Sequence, residues 1–394
     1  MTTQRVTLKT LLEILIVSTR LGLTSFGGPV AHLGYFHEEY VRRRKWMDEK
    51  AYADLVALCQ FLPGPASSQV GIGIGIVRGG VLGGITSFIG FTTPSVIALI
   101  LFALFVSGLD VTDAGWLYGL KVVAVAIVAH AVMGMAGKLT TNTKTRTIAF
   151  FALAAVLLWQ TTYSQVLVIL IAGLVGYRLF KPESSTGQST AFPLSKRLGA
   201  TLLSIFGALL IVLPLLRETV ELQAVALFDS FYRAGALVFG GGHVVLPLLE
   251  RELVPAGFLS EEAFLAGYGA AQAVPGPLFT FASYLGTVIA GVPGGLLATF
   301  AIFLPAFLLI LGALPFWNAL RHHPKVAGAL VGVNAAVVGI LVAAFYQPIF
   351  TSTIHDAVDF VFAAFLFVMI AYWKLPPWVL VLVGVVGGMI IGTL

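Results

Sequence analysis

The sequence predicts an all-α polytopic membrane protein built from two homologous halves in inverted topology. Composition, a series of apolar runs and an internal repeat carry that prediction. Of 394 residues, 58% are hydrophobic and only 10% charged, against about 25% charged in a soluble domain. So few charges cannot clothe a water-facing surface, which excludes a soluble enzyme, a nucleic-acid binder or a disordered scaffold. The net charge of +5 arises from short basic clusters between apolar runs, the pattern of the positive-inside rule. The single cysteine, Cys59, rules out an intrachain disulfide and any multi-cysteine metal site, and no cofactor or metal is expected. Residues Met1-Thr2-Thr3-Gln4 lead into an apolar run interrupted by Glu13 and Arg20, without an A-x-A-like cleavage site. No removable signal peptide is expected.

In chain order, the first apolar stretch runs into Phe26-Gly27-Gly28 and on to the basic cluster Arg42 to Lys45. The second is split at Pro63-Gly64-Pro65, where ring geometry and missing N–H groups interrupt a helix. Four spanning segments follow at 81–107, 116–137, 146–160 and 163–180, each near or above the roughly 17–25 residues a crossing helix needs. Lys181 to Arg197, reading KPESSTGQSTAFPLSKR, is a polar linker. An extra apolar helix at 198–216 comes next, then two further broken segments and spanning segments at 293–317, 326–348, 357–373 and 377–394. The chain thus divides into an N-terminal repeat (1–180), the linker (181–197), a connecting transmembrane helix (198–216) and a C-terminal repeat (217–394).

The repeat is visible residue by residue. Arg20-x-Gly22-x-x-x-Phe26-Gly27-Gly28 returns as Arg233-x-Gly235-x-x-x-Phe239-Gly240-Gly241, and Glu39 aligns with Glu252. Trp46-Met47-Asp48-Glu49 matches Phe258-Leu259-Ser260-Glu261, Gln60-x-x-Pro63-Gly64-Pro65 returns as Gln272-x-x-Pro275-Gly276-Pro277, and Pro94 finds Pro305. The offset stays between 211 and 213 over some seventy residues, which marks an internal duplication.

Charge decides the topology. If both broken segments are re-entrant and return to the side they left, Lys9, Arg42 to Lys45, Lys50, Arg78, Lys138, Lys144, Arg146, Arg178 and Lys181 share one face. The helix 198–216 then flips the second half, leaving only Arg217 and Arg251 as outer basic residues. Full crossing by both would oppose Lys138, Lys144 and Arg146 to the 42–45 cluster, against the positive-inside rule. Inverted halves are the plan of many secondary transporters. The N-terminus and linker are expected on the cytoplasmic side and the C-terminus on the periplasmic side.

Candidate chemistry gathers at the repeated breaks. Arg20 and Arg233 lie in apolar segments, where an arginine costs at least about 2.5–3.5 kcal/mol, and guanidinium suits a tetrahedral oxyanion. Snorkelling to the interface is the alternative. A helix beginning after Pro65 would expose free N–H groups around Ala66, Ser67, Ser68 and Gln69, at a dipole end that favours an anion. The matching Leu278, Phe279, Thr280 and Phe281 are less polar, so the main anion contact is expected in the first half. Gly27, Gly28, Gly240 and Gly241 permit close backbone approach, as do the breaks at Pro63, Gly64, Pro65, Pro275, Gly276 and Pro277. Gly71-x-Gly73-x-Gly75 reads as helix packing rather than a nucleotide loop. Lys121 and its repeat partner Asn334 are further substrate-contact candidates, with snorkelling again the alternative for the lysine. His32 and Glu39 are candidates for proton coupling, with a salt bridge to nearby arginines as the favoured alternative for Glu39.

These motifs resemble the chromate ion transporter family in its long, two-domain form. The resemblance rests on Phe26-Gly27-Gly28-Pro29-Val30-Ala31-His32-Leu33-Gly34-Tyr35-Phe36, on Tyr40-Val41-Arg42-Arg43-Arg44, and on Leu58-Cys59-Gln60-Phe61-Leu62-Pro63-Gly64-Pro65-Ala66-Ser67-Ser68-Gln69. In the second half it rests on Phe239-Gly240-Gly241-Gly242-His243-Val244-Val245-Leu246-Pro247 and Val333-Asn334-Ala335-Ala336-Val337-Val338. It implies a multi-pass protein of the bacterial plasma membrane that exports chromate and confers chromate resistance, driven by the proton motive force, with sulfate as a competing analogue. The implied partners are chromate, protons and membrane lipid, with a homodimer as the candidate assembly and no nucleic acid. A sulfate or other oxyanion transporter, and a passive anion channel using the same donors, are the alternatives. An intramembrane enzyme finds no G-x-S-x-G, H-E-x-x-H or paired-aspartate pattern.

Overall fold

Proline and glycine decide where these helices stop. The computed structural model describes residues 7–26, 28–107, 115–159, 164–180, 194–239, 244–317 and 324–391, and all regular structure among them is helical. Helix α1 (Leu8–Thr24) is capped by the Thr7 hydroxyl and ends where Ser25 turns extended. Helix α2 (Gly28–Phe36) starts on a glycine with φ +75° and widens into a π-helical turn, His37–Arg43. Helix α3 (Glu49–Phe61) is capped by Asp48, which accepts the Ala51 N–H at 2.7 Å. Helix α4 (Ala66–Ser107) reverses direction at Gly79 and Gly80 (φ +62°, ψ −161°). Then come α5 (Gly115–Leu139), α6 (Thr143–Leu158), α7 (Ser164–Leu179) and the connecting α8 (Lys196–Thr219).

The second half repeats this order: α9 (Gln223–Leu237), α10 (Val245–Leu253), α11 (Glu261–Ala271), a 3₁₀ turn (Leu278–Thr280), α12 (Phe281–Ala313), α13 (Pro324–Ala344), α14 (Ala357–Ala371) and α15 (Pro377–Ile391). Helix α12 reverses at Ala290 (φ −143°, ψ 30°) and Gly291 (φ +64°, ψ −166°), nearly the angles of its counterpart Gly79–Gly80 (φ −142°, ψ 25°; φ +62°, ψ −161°). Only a residue without Cβ takes the left-handed position cheaply. The described parts of all nine expected spanning segments are largely helical, and among the described residues five helices are long and apolar enough to cross a membrane. Among the described residues the other four, α6, α7, α14 and α15, have 16, 16, 15 and 15 residues, about 23–24 Å against a hydrocarbon core of about 30 Å.

The chain forms two compact units, each assembled from both repeats. One holds Met1–Leu101, Ser185–Gly242 and Pro275–His322; the other holds Phe102–Ser184, His243–Val274 and His323–Leu394. Sequence repeat and compact unit therefore do not coincide.

In the first unit the broken segments of the N-terminal half are helical hairpins. Helix α1 lies antiparallel to α2 and its π-helical turn: Glu13 pairs with Arg44 at 3.0 Å, and the Ser18 hydroxyl meets that of Tyr40 at 3.1 Å. Helix α3 packs back on residues 66–78 through Leu55, which fills the space a Gly73 side chain would need. Residues 66–78 then fold against 81–107: the Ser87 hydroxyl donates to the Gly71 carbonyl at 2.9 Å, although 16 residues along a straight helix span about 24 Å. The connecting α8 packs on α9 and α12, with Tyr232 donating to the Phe206 carbonyl at 3.0 Å.

In the second unit the halves exchange partners. Helix α5 packs on α14 and α15, and its repeat copy α13 packs on α6 and α7. Gly119 touches Gly384 and Gly115 touches Gly388; correspondingly, Gly332 touches Ala172 and Gly328 touches Gly176. Small residues let the backbones close where apolar burial gives no driving force in lipid.

Candidate functional site

Two backbone hydrogen bonds organise the first unit. The Gly64 N–H donates to the Val238 carbonyl at 2.7 Å, and the Gly276 N–H donates to the Ser25 carbonyl at 2.9 Å. Val238 is the repeat copy of Ser25, and Gly276 that of Gly64. Each Pro-Gly-Pro glycine thus bonds the residue that ends the arginine-bearing helix of the other half, a two-fold reciprocity. Both glycines need φ above +100° (+109° and +102°), and a Cβ on Gly276 would sit 2.9 Å from the Ser95 hydroxyl. The joint accordingly requires glycine at both positions.

Around this joint the halves differ. Pro65 starts α4, and the N–H groups of Ala66, Ser67 and Ser68 have no intrahelical acceptor; the Gln69 N–H is the first to bond back, to Pro65. Ser67, Ser68 and Gln69 are buried. The Ser67 hydroxyl meets His32 Nδ1 at 3.2 Å, and the Gln69 amide donates to the Pro63 carbonyl at 2.9 Å. In the second half the helix start is closed by the 3₁₀ turn: the Thr280 N–H and hydroxyl both donate to the Pro277 carbonyl, at 3.0 and 2.7 Å. The first half carries the more polar lining.

The arginines are not bare cations. The guanidinium of Arg20, whose side chain is 46% exposed, pairs at 2.5 Å with Glu39, whose side chain is 6% exposed. Arg44 and Arg43 hold the same carboxylate at 2.6 and 3.2 Å, and Arg44 and Arg78 reach Glu13 at 3.0 and 3.1 Å. Arg44 and Arg78 also lie against the Trp46 ring, which stacks on Tyr40. Burial works to raise the Glu39 carboxyl, but hydrogen bonds and charge from Arg44 and Arg20 outweigh it and hold it below the ordinary carboxylate range. Arg233 binds Asp229 with two nitrogens at 2.9 and 2.7 Å, and Arg217 approaches the same carboxylate at 3.4 Å. Asp229 is fully buried.

The sequence candidates are therefore divided. Arg20, Gly28, Pro63 to Gln69, Arg233 and Pro275 to Pro277, with His32 and Glu39, belong to the first unit; Lys121 and Asn334 belong to the second. Gly27, Gly240 and Gly241 lie outside the described residues. Lys121 acts electrostatically on Glu262 of α11. Asn334 lines a cavity of about 470 Å³ with Lys138, Thr141, Asn142 and Thr145. Sequence reasoning missed Asp229, although its spacing of four from Arg233 on one helix was a usable signal. It also missed Ser25 and Thr92, buried hydroxyls whose neighbours are distant in sequence.

The sequence pattern that defines a family described as Chromate transporter matches residues 12–177 and 225–389. The chain is 30% identical over 380 residues to a probable chromate transport protein of Synechococcus elongatus, covering 94% of this chain and 93% of that one. It is 29% identical over 345 residues to a chromate transport protein of Cupriavidus metallidurans, covering 85% and 82%. An uncharacterized transporter of Methanocaldococcus jannaschii is 26% identical over 341 residues, 84% and 83% of the two chains.

Proposed function

Because the chain belongs to the chromate transporter family, we propose that it carries chromate, or a closely related divalent tetrahedral oxyanion, out of the cell by alternating access. The observation that supports this reading is the joint at Gly64 and Gly276. It draws the breaks of both halves into one unit and sets beside them the open N-terminus of α4, with Ser67, Ser68 and Gln69 buried there. Free N–H groups at a positive dipole end favour an anion. Arg20 and Arg233, paired with Glu39 and Asp229, brace the segments around the joint. Lys121 and Asn334 contribute polar groups in the second unit. The proposed drive is the proton motive force, with His32 as the titratable group at the site. Glu39, held ionised by its arginines, is assigned to the ion-pair network instead. The proposed setting is a bacterial plasma membrane, with the N-terminus and linker cytoplasmic and the C-terminus periplasmic.

Inverted vesicles containing the purified protein test the proposal. Chromate should accumulate inside them against its electrochemical gradient when a pH gradient is imposed, and sulfate should compete. Accumulation that never exceeds electrochemical equilibrium would identify a channel. Uptake of sulfate with none of chromate would identify the other oxyanion as cargo.

A further inference from the structure

A path of polar contacts runs through the first half beside the open start of α4. The Ser67 hydroxyl meets His32 Nδ1 at 3.2 Å, and the imidazole sits edge-on to Phe91 at 5.4 Å between ring centres. Ser25 accepts the Gly276 N–H; Gly276 leaves room for the Ser95 hydroxyl; and that hydroxyl donates to the Thr92 carbonyl at 2.9 Å. Around this path five buried polar atoms have no hydrogen-bond partner among the described residues: Ser25 Oγ, His32 Nε2, Ser68 Oγ, Thr92 Oγ1 and, at the start of α4, Gln69 Oε1. Their residues are between 0 and 2% exposed. Buried hydroxyl and ring-nitrogen groups are nearly always hydrogen-bonded, so four of them beside unsatisfied helix N–H groups mark the place of a polar ligand.

The duplication supplies an internal control. By the repeat offsets, Ser25 corresponds to Val238, His32 to Val245 and Thr92 to Phe303. The copy of Ser68 is Thr280, whose hydroxyl is spent on the Pro277 carbonyl. The same framework thus exists twice, and the unpartnered groups at these four positions occupy one copy, while the second copy leaves Gln272 Nε2 unpartnered just before its break. A frame that needed them for packing would carry them in both.

We propose that Ser25, His32, Ser68 and Thr92 are direct ligands of the transported oxyanion, which is held by uncharged donors of the N-terminal half. This deepens the transport reading above and rests on it. With the Ser67 hydroxyl donating to Nδ1, the imidazole presents Nε2–H. Three hydroxyls, that N–H and the first α4 amides then form a donor-rich cradle. A fully deprotonated tetrahedral dianion, all of whose oxygens accept, satisfies such a cradle. Arg20 and Arg233, each bonded to a buried carboxylate, brace the hairpins around it.

The test is equilibrium binding of chromate to purified full-length protein in detergent. Ser25→Ala and Thr92→Val should each weaken binding about tenfold or more, the effect of losing one hydrogen bond to a charged group. His32→Phe should do at least as much, while His32→Gln, whose amide nitrogen reaches near the Nε2 position, should stay within about threefold. Thr280→Val, the matched change in the second half, should bind within about threefold of wild type because that hydroxyl is already committed. Monodispersity and unfolding temperature identify variants that fold. Folded Ser25→Ala, Thr92→Val and His32→Phe proteins that all bind chromate like wild type would overturn the assignment and leave the transport reading standing. Wild-type protein that binds neither chromate nor sulfate would overturn both.

Discussion

At the scale of single residues, the ion pairs explain how arginines are tolerated in apolar helices. Asp229 is fully buried and held by Arg233 and Arg217. Arg233→Ala removes its bidentate partner, and stability should fall by roughly 3 kcal/mol. Adding Asp229→Ala should recover much of that loss, because the cost lies in an uncompensated buried charge. Thermal unfolding in detergent checks both variants; equal destabilisation by the single and double changes would contradict this account. Glu39 gives a pH prediction. Its carboxyl is held below the ordinary range when folded, so it contributes stability above the unfolded value. That contribution is lost as pH falls through the folded value. Glu39→Gln should be less stable than wild type at neutral pH, and the two unfolding curves should converge in acid. Parallel curves would remove Glu39 from the acid response.

The elements are governed by their interruptions. Gly276 has φ +102° and no room for a Cβ beside Ser95, so Gly276→Ala meets both backbone strain, about 1–3 kcal/mol, and a steric clash. Gly28 also has positive φ (+75°) but open space around it, so Gly28→Ala should cost less. Comparison of unfolding temperatures separates strain from clash. The hairpin packing is open to crosslinking as well. The hydroxyls of Ser18 and Ser87 lie 3.2 Å apart, within the reach of a disulfide. In a Cys59→Ala background, Ser18→Cys with Ser87→Cys should crosslink on oxidation, read as a mobility shift under non-reducing conditions. Failure to crosslink in folded protein would count against the packing of α1 on α4.

At the scale of the molecule, duplication is the main fact. It appears as matched turn angles at Gly80 and Gly291, crossed bonds at Gly64 and Gly276, and exchanged helix partners in the second unit. If the halves are inverted in the membrane, cysteines placed at Lys45 and Lys374 should react with an impermeant thiol reagent from the same side. A cysteine at Leu394 should react from the opposite side. Lys374 and Lys45 reacting from opposite sides would refute the inversion.

Much of this was legible before any coordinates. Proline rings, paired glycines and runs of apolar residues act within a few residues of themselves, so the breaks, the nine apolar helices and the repeat register follow from local chemistry. Family membership follows from the same motifs. The candidate site was half legible. Ser67, Ser68 and Gln69 follow a proline that must begin a helix, but whether that start is open or closed depends on a 3₁₀ turn seen only at Leu278–Thr280. Arg20 and Arg233 stood out as charges, while their neutralisation depends on partners brought in by folding. Ser25 and Thr92 carried no local signal, because their surroundings are assembled from α1, α2, α4 and the Gly276 turn. Helix periodicity, charge and breaks are properties of neighbouring residues and can be read along the chain. Pairing, burial and the mixing of two repeats into each compact unit arise between distant segments, and only the tertiary structure decides them.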